Sequence, residues 1–281
     1  RLLVPGNRLL WVAAIVLLVV LAAWLQLTPD GLLGKADAVG YAVCHRITAR
    51  SFLFPDGRQM PLCARCSGTF LGVLVGLFGP GLLFGRRRAG SFPPAAILVV
   101  MLGMSGLWAF DGANSFAHLL PAERIPRLYG PTNFLRLATG MYHGITMGSL
   151  ILPVVNATLW ADATEEPAVA RWWHLAVLYA LGMVLMALVL SGLGIFLYPL
   201  AFLSATGVIA ILTAINVVMV AAVLGREGLA RTLADALPLI VLGLTVTLVL
   251  IEGIDAARYA LFGTWDGFVI PETYGFHQRY F

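Results

Sequence analysis

Three cysteines and a histidine gather in one short polar stretch, Tyr41–Gly68, which reads YAVCHRITARSFLFPDGRQMPLCARCSG. Cys44 and His45 open it, and Cys63 and Cys66 close it with Cys-x2-Cys spacing. Two thiolates at that spacing, with Cys44 as a third donor and His45 as a fourth, suit the tetrahedral N/S coordination that zinc prefers. Cys44 and His45 are adjacent, so on a regular helix their side chains would diverge. Either the backbone is irregular there, or His143, Asp111 or a water takes the fourth place. Iron–sulfur ligation lacks a fourth cysteine, and without C-x-x-C-H ordinary c-type haem attachment is excluded.

The same residues support two other chemistries. Cys63 and Cys66 stand at the head of an apolar run, with Pro61 expected in the first helical turn and Arg65 between them. A helix N-terminus and a nearby cation both lower a thiol's pKa, the arrangement of dithiol oxidoreductases that exchange electrons with a quinone, and Cys44 would be the shuttling thiol. Such enzymes usually carry a second cysteine pair, which this chain does not have. Alternatively, one disulfide clips the stretch to the helix and the third cysteine is a small buried hydrophobe. Three functional classes follow: a membrane protein holding zinc at one face, a thiol/quinone oxidoreductase, and a non-catalytic accessory or scaffold subunit of a larger membrane complex. No P-loop, Rossmann fingerprint, H-E-x-x-H or G-x-S-x-G context points to a standard enzyme class.

The elements that must position this stretch are set by composition. Of 281 residues 60% are hydrophobic and 11% charged, with a mean hydropathy of +0.89, too little polar surface to cover a soluble globule. The fold class is all-α, a polytopic transmembrane helix bundle in a lipid bilayer. Spans are expected at Leu9–Leu27, Leu62–Phe84, Pro94–Phe110, Phe134–Trp160, Leu175–Tyr198, Leu200–Leu224 and Leu237–Phe262, about seven helices with the Cys-rich loop between helices 1 and 2. Ser191-Gly192, Gly194 and Tyr198-Pro199 mark the turn between the fifth and sixth. Residues 1–160 read as a four-helix core carrying the cysteine motif, and 161–281 as a three-helix extension with an aromatic tail, Gly263–Phe281, suited to an interface or a partner subunit. The net charge of +4 lies mostly in short loops and forms no basic face, which argues against nucleic acid. The compact Arg86-Arg87-Arg88 run favours cytoplasmic retention, so in a plasma-membrane protein the cysteine face is expected to be extracytoplasmic.

Helix parity collects the polar residues. If the second helix enters at Cys63–Gly68 and the third returns to end at Asp111-Gly112-Ala113-Asn114, then Cys44, His45, Arg46, Cys63, Arg65, Cys66, Asp111, Asn114, Asn133 and Arg136 share one membrane face by connectivity alone. Two ladders, Gly68-x3-Gly72-x3-Gly76 and Gly140-x3-Gly144-x3-Gly148, have the small-residue spacing that lets helices approach closely in lipid. Arg136 is one turn above Gly140 and points inward, expected to face Asp111 or to share one polar pocket with it beside the cysteine loop, with Asn133 a helix N-cap and His143 deeper on the same flank. Glu252, Asp255 and Arg258, spaced by three, allow an internal ion pair near the membrane surface or a proton or cation path with Glu252 the deeper carboxylate. His118, His174 and His277 carry no motif.

Taken in order, C-H-R-x3-R-S-F, G-x3-P-L-C-A-R-C-S-G, D-G-A-N and T-N-F-L-R-L-A-T-G resemble the signature of an uncharacterised family of multi-pass prokaryotic membrane proteins, a domain of unknown function. The resemblance runs from Asp37 to Leu150 and includes Cys44-His45-Arg46, Arg50-Ser51-Phe52, Gly57, Pro61 through Gly68, Asp111-Gly112, Thr132-Asn133 and Arg136-Leu137. It implies a membrane fold and no particular activity. The last three helices, from about Arg171, lie outside it.

Overall fold

In lipid a backbone amide finds no water, so an apolar run satisfies its own hydrogen bonds as a helix. The computed structural model describes residues 6–120 and 127–268. Among them are eight α-helices: α1 (Gly6–Leu27), α2 (Gly31–Val43), α3 (Ala64–Leu83), α4 (Ala95–Ala117), α5 (Asn133–Leu159), α6 (Trp172–Leu190), α7 (Gly194–Val223) and α8 (Leu233–Phe262). Four short strands accompany them: β1 (Ser51–Leu53), β2 (Gln59–Cys63), β3 (Ala89–Ser91) and β4 (Thr164–Pro167). β1 and β2 form an antiparallel hairpin, and β3 pairs parallel with β4.

Six helices, α1, α3, α4, α6, α7 and α8, are long and apolar enough to cross a membrane. The 27-residue α5 is the seventh long helix. Its polar and glycine-rich sequence suits its place, because it packs against α3, α4, α6 and α7.

The α3–α5 contact is the most extensive in the molecule, and the two glycine ladders make it. A Cβ at Gly72 would overlap the Met141 carbonyl oxygen, and one at Gly144 would overlap that of Thr69. The same interlock repeats one turn on either side, at Gly68, Gly76, Gly140 and Gly148. Backbone therefore meets backbone along this seam. Leu71, Leu137, Met141, Ile145 and Leu178 fill the core beside it and are almost wholly buried.

Several boundaries differ from those expected. α2 was not expected at all; it is only 13 residues long, too short for a span, and it packs against β2, α7 and α8. The third expected span continues past Phe110 to Ala117, because Asp111 and Asn114 find partners inside the bundle. The turn between α6 and α7 lies at Ser191–Leu193, with Gly192 at φ +69°; Pro199 sits inside α7, as prolines in membrane helices often do. Of the aromatic tail, residues 263–268 are described; the remainder, with His277, lies outside the described residues.

The seam predicts an asymmetric pair of substitutions. Gly144→Ala should lower stability by about 3 kcal/mol or more, since neither backbone can yield. Gly103→Ala, on α4 with nothing within 4 Å of its Cβ position, should be neutral or slightly stabilising. Thermal unfolding in detergent compares them, and equal midpoints would remove the seam from its central role.

Candidate thiolate centre and its polar surround

Local folding draws the cysteines together. α2 lies so close to β2 that a Cβ at Gly40 would overlap the Pro61 carbonyl oxygen, and this contact sets the end of α2 beside the end of β2. Cys44 caps α2 in an extended conformation, its N–H donating to Gly40 O at 2.9 Å. Cys63 ends β2 and is the N-cap of α3, and Cys66 follows in the first turn of α3. Pro61 is therefore a strand residue and not part of that first turn. The hairpin reverses at Phe54–Gly57, where the Gly57 N–H donates to Phe54 O at 2.9 Å and Gly57 has φ +82°, a conformation without steric cost for glycine.

The three sulfurs lie within 4.8 Å of one another. Cys44 and Cys63 are buried, Cys66 is partly exposed, and all three are free thiols. The Cys44 sulfur accepts backbone N–H bonds from Arg46 and from Cys63, each at 3.4 Å. Donors aimed at a sulfur favour its thiolate, and the α3 N-terminus adds its positive end. Hydrogen bonds from the Cys63 and Cys66 thiols push Cys44 well below the ordinary thiol range. Cys63 is pushed up to about 12, first by its hydrogen bond to Cys44 and then by burial.

His45 is not drawn into this group. Its Nδ1 accepts the Ile47 N–H at 3.0 Å, its carbonyl accepts the Phe268 N–H at 2.9 Å, and burial pushes its imidazole below the usual range. No histidine, aspartate or glutamate joins the three sulfurs among the described residues. His143 is engaged elsewhere, with Nδ1 3.0 Å from Ser105 Oγ and its ring stacked on Trp108 at 4.1 Å.

Asp111 and Arg136 do not pair directly: Asp111 takes Arg65, and Arg136 lies in the same polar pocket. Asp111, buried on α4, accepts a short hydrogen bond from Arg65 Nη2 and another from Tyr129 Oη at 2.7 Å. Arg65 Nη2 also donates to Ser115 Oγ at 3.0 Å. Arg136 turns back along its own helix to Asn133 Oδ1 at 2.9 Å, because it lies on the α5 stripe that faces α3, whereas the long stem of Arg65 extends from the first turn of α3 to α4. Arg136 remains within electrostatic reach of Asp111, Arg50 and Arg65. The N-cap of α5 is Thr132, whose Oγ1 accepts the Leu135 N–H at 3.2 Å. Asn133 is already helical and spends its amide on Arg136 and, at 3.4 Å, on Ser51 O.

Asn114 pins the segment after α4, donating to Tyr129 O at 2.9 Å and accepting from Leu128 N at 3.1 Å. Arg46, with φ +49°, binds Asp37 at 2.9 Å and Trp265 O at 3.0 Å. Asp37 also receives Arg58 at 2.6 Å. Asp37 was not singled out from the sequence, although an acid in so apolar a helix signals a buried partner. Arg50, which belongs to the motif, donates to Ser115 O at 2.8 Å.

All three cysteines, both hairpin strands, α3, α4 and the first two-thirds of α5 fall in one segment with a known counterpart. Residues 44–150 match the family model "Predicted membrane protein (DUF2085)". The chain is also 30% identical over 117 residues to the uncharacterized protein MJ1492 of Methanocaldococcus jannaschii, a match covering 42% of this chain and 66% of that relative, just under two thirds of its length. No solved structure matches the chain. The matched segment thus coincides with the thiol cluster and the α3–α5 seam, while α6, α7 and α8 lie beyond it.

The polar surround of the thiol cluster makes a testable claim about charge. Arg65→Met should cost about 3–5 kcal/mol by stranding the buried Asp111 carboxylate, and adding Asp111→Asn should restore most of it. A double-mutant cycle in detergent should give a larger coupling for Asp111 with Arg65 than with Arg136; the reverse order would refute the pairing described here.

Proposed function

We propose that Cys44, Cys63 and Cys66 hold a soft divalent metal ion, zinc foremost, at one end of this multi-pass membrane protein. The observation that carries this reading is the convergence of the three sulfurs within 4.8 Å. Zinc–sulfur bonds of about 2.3 Å in a tetrahedron place sulfurs about 3.8 Å apart, a spacing that small side-chain adjustments reach from here. The two N–H donors on Cys44 are the kind of outer contact that orients a metal thiolate. Three thiolates around a divalent ion carry one net negative charge, and Arg50 and Arg136 lie within electrostatic reach of Cys63 to balance it.

With His45 held by Ile47, the fourth position falls to water or an exogenous ligand, the pattern of an open rather than a closed zinc site. The partial exposure of Cys66 supports access to that position. We assign the cysteine end to the extracytoplasmic side of the plasma membrane. Arg46, Arg50 and Arg136 are buried there and so count little as topological signals, whereas Arg86, Arg87 and Arg88 lie at the opposite end. A phosphatase fused after α8 should be active if this orientation holds.

Protein purified without chelator should contain about one zinc per chain, and Cys44→Ser, Cys63→Ser and Cys66→Ser should each lose it. The wild-type thiols should resist alkylation until chelator is added. Less than about 0.1 metal per chain, with thiols that alkylate freely once reduced, would overturn the reading in favour of thiol–quinone redox chemistry. Neither metal nor reactive thiols would instead leave a structural role, as in an accessory subunit of a membrane complex.

A further inference from the structure

A second polar site lies at the same end of the bundle, between α1 and α8. Its cavity, about 370 Å³, is lined by Trp24 from α1, by Glu252, Asp255 and Tyr259 from α8, and by Trp265 just beyond it. Asp255 is only 2% exposed, and among the described residues neither of its carboxylate oxygens has a hydrogen-bond partner. Glu252 Oε1 and the Trp24 indole N–H are likewise buried without one.

The internal ion pair expected from the spacing of Asp255 and Arg258 does not form. Arg258 turns away from the cavity: its Nη1 donates to Tyr41 O and, at 2.7 Å, to Cys44 O. Its guanidinium also lies over the Tyr41 ring at 4.0 Å and the Phe268 ring at 4.5 Å. Two carboxylates therefore line the cavity near one guanidinium whose Nη1 is spent on backbone carbonyls, while its Nε and Nη2 have no hydrogen-bond partner among the described residues. A buried carboxylate with no donor is costly unless it takes up a proton or a cation completes it.

The lining decides which cation. Hard metal ions require six or more oxygen ligands, and this cavity offers two carboxylates among aromatic and aliphatic walls. Ring faces beside carboxylates are how proteins recognise organic ammonium groups. We propose that this cavity binds an organic ammonium cation, with Asp255 and Glu252 supplying charge and Trp24, Tyr259 and Trp265 supplying ring faces. The ammonium can belong to a soluble amine or to the headgroup of a membrane lipid, since the cavity lies at the ends of two spans. This site is independent of the metal reading.

The test uses the full chain in non-ionic detergent and follows tryptophan fluorescence during titration with choline and with tetraethylammonium. Saturable quenching is expected, while 3,3-dimethylbutanol, the uncharged isostere of choline, should give none. Asp255→Asn should weaken binding at least tenfold without lowering the unfolding temperature, because it removes an unpartnered charge and keeps the shape. Trp24→Leu should weaken it as well, providing a second variant if the first does not fold. Absence of saturable quenching in the wild type, equal binding of the neutral isostere, or unchanged affinity in Asp255→Asn would each overturn the proposal. Repeating the titration in nanodiscs separates the sources of the ligand. Competition by phosphatidylethanolamine but not by phosphatidylglycerol identifies a lipid headgroup, and equal affinity in both identifies a soluble amine.

Discussion

Close approach of two backbones, α3 and α5, is the constraint on which the rest of the molecule depends. Lipid offers no hydrophobic drive between helices, so their association rests on dispersion contacts and on interhelical hydrogen bonds. Six interlocked glycines provide the contact, and Ser149 Oγ, reaching Gly76 O at 3.4 Å, adds a polar one. The seam fixes the rotation and depth of both helices. The first turn of α3, with Cys66 and Arg65, and the first turn of α5, with Arg136, consequently emerge at one end in a defined relation.

What the seam arranges at that end is a set of charges that the membrane would otherwise reject. Arg46, Arg50, Arg136, Asp37 and Asp111 are all buried, and each charge is answered by a carboxylate, a carbonyl or a neighbouring side chain. The loops are built to supply those answers. Gln59 bridges Arg46 O and Ser51 Oγ, both at 2.8 Å, and so ties the hairpin to the cysteine stretch. The thiol cluster is thus embedded in a network whose members are on α2, β2, α3, α4 and α5, and its geometry inherits the rigidity of all of them.

Hydropathy and small-residue spacing made most of the bundle legible in advance: the long helices, the two ladders, and the collection of polar residues at one end by parity. These are properties of single segments or of chain order. Partner choice was not legible, because it depends on the rotational phase between helices. Asp111 takes Arg65 and not Arg136, and Arg258 takes the carbonyls of Tyr41 and Cys44 and not Asp255, though spacing along the chain allowed either. α2 escaped notice because Lys35, Asp37 and three glycines dilute its apolar character, and its helical state is set by packing on β2 rather than by its own sequence. The cap of α5 moved by one residue for a similar reason: Asn133 is needed by Arg136, and Thr132 is left to cap.

Arg258 has a further consequence. Its guanidinium holds the carbonyls of Tyr41 and Cys44, and the Phe268 N–H holds that of His45. The end of α8 therefore grips the backbone on which the first cysteine hangs. Whatever displaces Arg258 from these carbonyls loosens the cysteine segment, and whatever stiffens the cysteine segment immobilises Arg258. Thermodynamic linkage makes such an effect reciprocal, so two chemically unrelated pockets, one of sulfur and one of carboxylates, are joined through Arg258, Trp265 and Phe268.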